Sequence, residues 1–136
     1  MSFCLAVWNS LTAISDSDAA AQYLLLSSDK SVRSRFDGRV YAFYSSLTDR
    51  YPEIEMLPED ELDACPWACG IDFSVGHVIM AIQLEKSAKI LPHVLALAGQ
   101  HELVCYDPQA GKVHLPPRLR PAMSTLPQAQ LNPDTV

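Results

Sequence analysis

Two apolar runs dominate the pattern of hydrophobic and polar positions along the chain: residues 3–8 are continuously apolar, and residues 77–84 are nearly so. Short continuous runs of β-forming residues are typical of strands that are buried on both faces of a sheet. We therefore predict that these two strands lie at the centre of the fold.

Helical spacing is clearest over residues 39–50. The apolar positions there share one helix face, which is the pattern of an amphipathic helix: Val40, Phe43, Tyr44, Leu47 and Tyr51. An earlier helix is predicted from the N-cap residue Ser15 to Leu26, with Ala20, Tyr23, Leu24 and Ser27 on one face. A later helix is predicted from about residue 87 to 101. Because Pro92 fits best in a first turn, we expect that helix to begin after Ser87.

Shorter strands fill the remaining pattern. Alternating residues Trp67, Cys69, Ile71 and Phe73 predict a strand with one apolar face, followed by a hairpin turn at residues 74–77. Residues 103–106 and 112–115 predict two more strands. Residues 118–136 have no hydrophobic periodicity, so we predict one domain over residues 1–117 and a flexible tail over 118–136.

The order of the predicted elements is β-α-α-β-β-α-β-β. If the first two helices form one crossover, this order is the ferredoxin-like split βαβ arrangement of the α+β class, with a terminal strand added. We expect an antiparallel sheet with helices mainly on one face. The other face would then be open, and a homodimer through it is one hypothesis.

Composition narrows the class of protein. The chain has 136 residues, 49% hydrophobic and 19% charged, which is ordinary for one globular domain. It has no apolar run of the roughly 18 residues that a membrane span needs, and its N-terminus lacks signal-peptide features. We expect a cytoplasmic protein with reduced cysteines. A formal net charge of −6 argues against nucleic-acid binding.

The negative charge is concentrated in one stretch, residues 49–63, which we call the acidic segment. It has seven acidic residues and one basic residue, Arg50. Such a segment is either a solvated loop or a docking surface for a basic partner. The predicted docking residues are Tyr51, Glu53, Glu55, Glu59, Asp60, Glu61, Asp63 and Trp67, with Tyr51 and Trp67 as aromatic anchors.

Candidate catalytic and metal-binding residues are few. Cys65 and Cys69 have no second close pair of ligands, so we expect no metal site and interpret these thiols as small hydrophobic side chains. Cys105, His114 and Asp107 could form a nucleophilic set, but the apolar run around Cys105 disfavours a thiolate. An alternative pocket for a small molecule or a small enzyme comprises Tyr106, Asp107, Gln109 and His114.

The chain resembles a group of small bacterial α+β proteins over about residues 3–117. The matching positions are Leu5-Ala6-Val7-Trp8, Phe43-Tyr44, Leu47, Tyr51-Pro52-Glu53, Cys65-Pro66-Trp67, Val78-Ile79-Met80 and Leu103-Val104-Cys105-Tyr106-Asp107-Pro108-Gln109. These proteins are similar to immunity proteins, which bind and block a cognate bacterial toxin. Most matching positions are core or turn residues by the pattern above, so the resemblance implies no catalytic residue.

These observations lead to one main expectation. We expect a non-catalytic protein without a cofactor, which binds a toxin with a basic surface through the acidic segment. A small-molecule-binding protein or small enzyme and a regulatory homodimer remain the alternatives.

Overall fold

The computed structural model describes residues 2–28, 37–74 and 76–120. Five strands form one antiparallel sheet in the order β2-β3-β1-β4-β5. The strands are β1 Ser2–Trp8, β2 Asp72–Phe73, β3 His77–Gln83, β4 Val104–Asp107 and β5 Lys112–His114. The α-helices are α1 Asp16–Ser28, α2 Gly38–Arg50 and α3 Ser87–Gln100. Short 3₁₀ helices occupy Ile54–Met56, Glu59–Ala64, Leu84–Lys86 and Pro117–Leu119.

The two apolar runs form the central strands, as predicted. β1 and β3 pair along their whole length, from Ser2 opposite Gln83 to Trp8 opposite His77. Consecutive residues of a strand point to opposite faces, so a strand with continuous burial needs cover on both faces. Leu5, Ala6 and Val7 are all fully buried, and both faces of the sheet are therefore packed at β1.

The larger core lies between one face of the sheet and the helices α2 and α3. Val40, Phe43 and Leu47 of α2 are buried there, which confirms the apolar stripe predicted for this helix. Asp37 caps α2, since its Oδ1 accepts hydrogen bonds from Arg39 N at 2.9 Å and Val40 N at 3.3 Å. Tyr44 and Tyr51 lie at the edge of this core and are only partly buried.

Helix α1 packs on the opposite face, which corrects two predictions. Ala19 and Leu26 of α1 join Ala6 and Trp8 of β1 in a second core, with Val104 and Tyr106 of β4. The face predicted to be open for a homodimer is thus covered over β1 and β4. Helices α1 and α2 lie on different faces of the sheet, so they do not form one crossover layer. Ser15 caps α1 as predicted, because its Oγ accepts a hydrogen bond from Asp18 N at 3.1 Å.

Two predicted element bounds also differ. Trp67 forms an isolated bridge with Ile82, and the ladder resumes only at Asp72, so the alternation predicted from Trp67 to Phe73 is interrupted and Cys69 is exposed. Helix α3 begins at Ser87 despite Pro92, which lies inside it. The 3₁₀ helix Leu84–Lys86 leads directly into α3.

The domain extends slightly beyond the predicted boundary at residue 117. The Arg118 guanidinium donates hydrogen bonds to Asn9 Oδ1 at 3.0 Å, Ser10 O at 2.9 Å and Glu102 O at 3.1 Å. Residues 118–120 are therefore held against the sheet end, and the rest of the predicted tail lies outside the described residues. Within the described ranges, no helix has the length and apolar character needed to cross a membrane.

Candidate functional site

The acidic segment forms the most highly charged surface of the described chain. Two short 3₁₀ helices carry it, joined at Leu57 and Pro58. Six of its seven carboxylates are exposed, and five of these six lie on the two 3₁₀ helices, where none forms an ion pair with a described cation. We call these five the acidic surface: Glu55, Glu59, Asp60, Glu61 and Asp63.

Apolar side chains lie among these acids. Met56 is 75% exposed and Leu62 is 37% exposed, although both belong to residue types that usually contribute to a core. Large apolar side chains surrounded by a charged rim are typical of protein contact surfaces. The acidic surface therefore combines charge with apolar contact area.

Glu53 differs from its acidic neighbours. Its Oε2 accepts a hydrogen bond from Tyr44 Oη at 2.6 Å, and its Oε1 accepts one from Ile71 N at 3.0 Å. The hydrogen bond to Glu53, with burial and the negative charges of Glu53 and Glu55, raises the pKa of Tyr44 to about 12. Glu53, predicted as a docking residue, instead anchors the start of the acidic segment to α2 and to the chain before β2.

Trp67, predicted as an aromatic anchor for a partner, is a core residue. Its side chain is fully buried and its Nε1 donates a hydrogen bond to Tyr51 O at 2.9 Å. Tyr51 is half-buried. Its ring packs edge-to-face with the rings of Trp67 and His93, at centroid distances of 6.3 Å and 6.1 Å. Tyr51 therefore keeps some surface, whereas Trp67 offers none to a partner.

The end of the acidic segment is tied to the start of α3. Lys86 Nζ donates hydrogen bonds to the carbonyl oxygens of Asp63 and Cys65, and Gln83 Nε2 donates one to Cys65 O at 2.7 Å. These bonds use backbone oxygens and leave the carboxylate of Asp63 exposed. The segment is thus fixed at both ends while its charges face solvent.

The four residues of the alternative pocket lie in three different surroundings, and only Asp107 and Gln109 contact each other through their side chains. Tyr106 packs against Tyr23 of α1, with ring centroids 5.6 Å apart, while His114 is exposed on β5. Asp107 Oδ1 accepts hydrogen bonds from Gln109 N, Gln109 Nε2 and Ala110 N, at 2.9, 2.7 and 3.2 Å, and thereby closes the turn before β5. These contacts give Tyr106 and Asp107 structural roles.

Gln109 extends the sheet with its side chain. Its Oε1 accepts a hydrogen bond from Cys4 N at 2.7 Å, and its Nε2 donates one to Cys4 O at 2.8 Å. The amide thereby occupies the position of a neighbouring strand beside β1, beyond the last residue of β4. The polar groups of Asp107 and Gln109 are thus used in contacts within the fold, whereas His114 is exposed on β5.

The predicted nucleophilic set is close in space but chemically unsuitable. Cys105 and His114 are register partners in the β4–β5 hairpin. Burial, with a smaller contribution from the charge of Asp107, raises the pKa of the Cys105 thiol to about 12. A thiol with such a pKa is protonated at neutral pH and is a poor nucleophile.

A second trio of polar side chains lies at the turn before β3, and the sequence pattern does not predict it. Ser74 Oγ and His77 Nδ1 lie 2.9 Å apart, and Asp72 Oδ2 lies 3.8 Å from His77 Nε2, a buried atom with no hydrogen-bond partner among the described residues. Ser74 Oγ also accepts a hydrogen bond from Gly76 N at 3.3 Å. Because Asp72 is beyond hydrogen-bond distance, we assign the trio to closing the turn before β3.

The cysteines lie in different environments. Cys65 and Cys105 are buried, as expected for small hydrophobic side chains, but Cys69 is exposed because the strand predicted around it is interrupted. In the part of the chain that the structure describes, no group of three or more His, Cys, Asp or Glu side chains is placed to hold a metal ion.

The acidic surface is therefore the candidate functional site. Glu53 and Trp67 do not belong to this surface but help to hold it in place. In the sequence, Glu53 is related to Tyr44 only by their separation along the chain. Such a separation is shared by many residue pairs, so it could not predict this hydrogen bond. Comparison of the chain with protein-family models, curated proteins and solved structures gave no match.

Proposed function

We propose that this chain is a non-catalytic binding protein of the immunity type, which neutralises a cognate toxin in the cytoplasm through its acidic surface. The main support for this proposal is the set of five exposed carboxylates without an ion-pair partner among the described residues. Unpaired charges of one sign on a fixed scaffold speed association with a partner of opposite charge.

The mechanism follows from how the acidic surface is held. Glu53 and Lys86 fix the two ends of the segment, so binding a partner requires little ordering of this backbone. Met56 and Leu62 supply apolar contact area between the charges. The charges steer a basic partner to the surface, and the apolar side chains then contribute to the lifetime of the complex.

We also propose that the fold is a variant of the ferredoxin-like split βαβ arrangement. The strand order β2-β3-β1-β4 supports this, as does the placement of α2 and α3 on one face between successive strands. In this interpretation α1 and β5 are additions to the basic arrangement.

The proposed function is tested first by capture from the native cell with the tagged full chain, followed by identification of the bound protein. The captured protein is then expressed alone and with this chain, and cell growth is measured. We expect growth to stop in the first case and to recover in the second. A captured protein that has no effect on growth contradicts the immunity function.

Two double variants test the surface. Glu59→Gln with Asp60→Asn removes two charges from the acidic surface, and Asp18→Asn with Glu85→Gln removes the same two residue types elsewhere on the exposed chain. At low ionic strength we expect the first pair to slow association about tenfold and the second to change it little. Equal rates for both pairs would exclude the acidic surface as the docking site.

A further inference from the structure

A groove between α2 and α3 is lined by polar groups, and most of these lie outside the acidic surface and its supporting contacts. It has a volume of about 200 Å³ and lies on the side of these helices that faces away from the sheet. Leu47, Ala96 and Leu97 form its apolar part. The polar groups are Ser46, Arg50, Tyr51, His93 and Gln100, and we call the whole the Arg50 groove.

Arg50 is the feature that gives the groove a charge. Its Nε donates a hydrogen bond to Tyr51 Oη at 3.1 Å, and its Cζ lies 5.5 Å from the Tyr51 ring centroid. None of the described carboxylates forms an ion pair with it, although Arg50 is the only base in the acidic segment. The remaining guanidinium N–H groups are thus available to an acceptor.

The wall that orients Arg50 is itself held in place. Tyr51 O accepts the hydrogen bond from the buried Trp67, and the Tyr51 ring packs edge-on between Trp67 and His93. Leu47, below the same wall, is buried in the core. A cation on a fixed aromatic wall above an apolar floor needs little rearrangement to receive a ligand.

We propose that the Arg50 groove binds a small organic carboxylate with an apolar body. The guanidinium matches the planar carboxylate, while Leu47, Ala96 and Leu97 contact the apolar part. The volume of the groove is below the roughly 300–1,000 Å³ of pockets for drug-sized ligands. The ligand must therefore be smaller than a typical drug molecule.

The surroundings favour a single negative charge. The chain has a net charge of −6, and Arg50 lies at the C-terminal end of α2, where the helix carbonyls carry partial negative charge. These charges oppose a doubly charged phosphate more than a carboxylate, and phosphate gains nothing from the apolar floor. Ligand binding in the Arg50 groove is independent of the acidic surface, since the groove residues lie outside that set.

The test is an NMR titration of the full chain with benzoate, hexanoate, benzamide and inorganic phosphate. We expect at least one of the two carboxylates to bind saturably with a dissociation constant of ~1 mM, and benzamide and phosphate to bind at least about tenfold more weakly. The amide shifts should be centred on Arg50, Tyr51, His93 and Gln100. Equal binding of benzamide, or stronger binding of phosphate, overturns the proposal, as does the absence of binding by both carboxylates.

Matched arginine variants identify the charge that matters. Arg50→Gln should weaken carboxylate binding by about tenfold or more, whereas Arg39→Gln, a change of another exposed arginine on the same helix, should leave it unchanged. The carboxylate affinity of Arg50→Lys should lie between those of the two glutamine variants, because lysine keeps the charge and loses the planar pairing. Each variant is first checked for native amide dispersion. Equal losses in Arg50→Gln and Arg39→Gln overturn the proposal.

Discussion

At the residue scale, Glu53 has a structural role that its neighbours in the acidic segment do not share. It accepts hydrogen bonds from Tyr44 Oη and Ile71 N, while Glu55, two residues later, is exposed. A hydrogen bond to a charged group contributes about 1.5–3 kcal/mol when both partners are held in place. Glu53 therefore stabilises the position of the surface that its neighbours form.

The tie between Tyr44 and Glu53 predicts a specific dependence on alkaline pH. The pKa of Tyr44 is raised to about 12, first by the hydrogen bond to Glu53, so folding favours the neutral phenol. The stabilisation is complete below the ordinary tyrosine pKa of about 10 and is lost as the pH rises through about 12. The ultraviolet absorbance of phenolate is measured against pH for the wild type and for Tyr44→Phe. The difference between the two curves should show Tyr44 ionising well above the ordinary tyrosine pKa.

Glu53→Gln is the matched variant, because it keeps an acceptor and removes the charge. We expect it to move the pKa of Tyr44 back towards the ordinary tyrosine value. A wild-type Tyr44 that ionises near pH 10 in the folded protein would show that the hydrogen bond is absent in solution.

At the scale of elements, α1 both covers the second face and protects an edge of the sheet. Asp16, in its first turn, accepts a hydrogen bond from Val113 N of the edge strand β5 at 2.9 Å. Its other oxygen lies 3.6 Å from Lys112 Nζ. An edge strand with an unpaired N–H can pair with another chain, and this contact removes one such donor.

Asp16→Ala should speed hydrogen exchange at the Val113 amide, because the amide then faces water. Asp16→Asn keeps the oxygen acceptor and should retain most of the protection. The hydrogen bond from Val113 N is the largest cause that lowers the pKa of Asp16 below 3.8. Its stabilisation is therefore present above the unfolded pKa and is lost as the pH falls through the lower folded pKa. Unchanged exchange in Asp16→Ala contradicts the contact.

At the scale of the whole molecule, two cores of unequal size lie on either side of one sheet. The larger, under α2 and α3, includes most of the fully buried side chains, and the smaller lies under α1. The acidic surface and the Arg50 groove both lie beside the larger core, since Tyr51, Trp67 and Leu57 pack against or within it. The rigidity of both candidate sites thus depends on this core.

Two leucine truncations test this distribution of stability. Leu47 is 1% exposed in the larger core, whereas Leu25 on α1 is 51% exposed. We expect Leu47→Ala to lower the free energy of unfolding by about 2–5 kcal/mol, through lost burial and a cavity. Leu25→Ala should lower it by less than about 1 kcal/mol. Urea denaturation measures both, and similar losses would contradict the difference in packing.

Local sequence patterns determined the elements and the centre of the sheet. The continuous runs of β1 and β3, the stripe Val40, Phe43 and Leu47, and the cap at Ser15 each depend on neighbouring residues, so they could be predicted. The concentration of acids between residues 49 and 63 is likewise visible in the sequence alone.

Only the tertiary structure decided which face each element covers and which side chains remain exposed. The apolar residues of α1 surround the helix, so their spacing groups Ala20 and Leu24 on one face but does not indicate that Ala19 and Leu26 are the buried ones. Glu53 and Trp67 acquire their roles from contacts with Ile71 and Tyr51, which lie 18 and 16 residues away along the chain. The Arg50 groove joins two helices that are far apart in sequence. Such contacts depend on long-range packing, which local periodicity does not report.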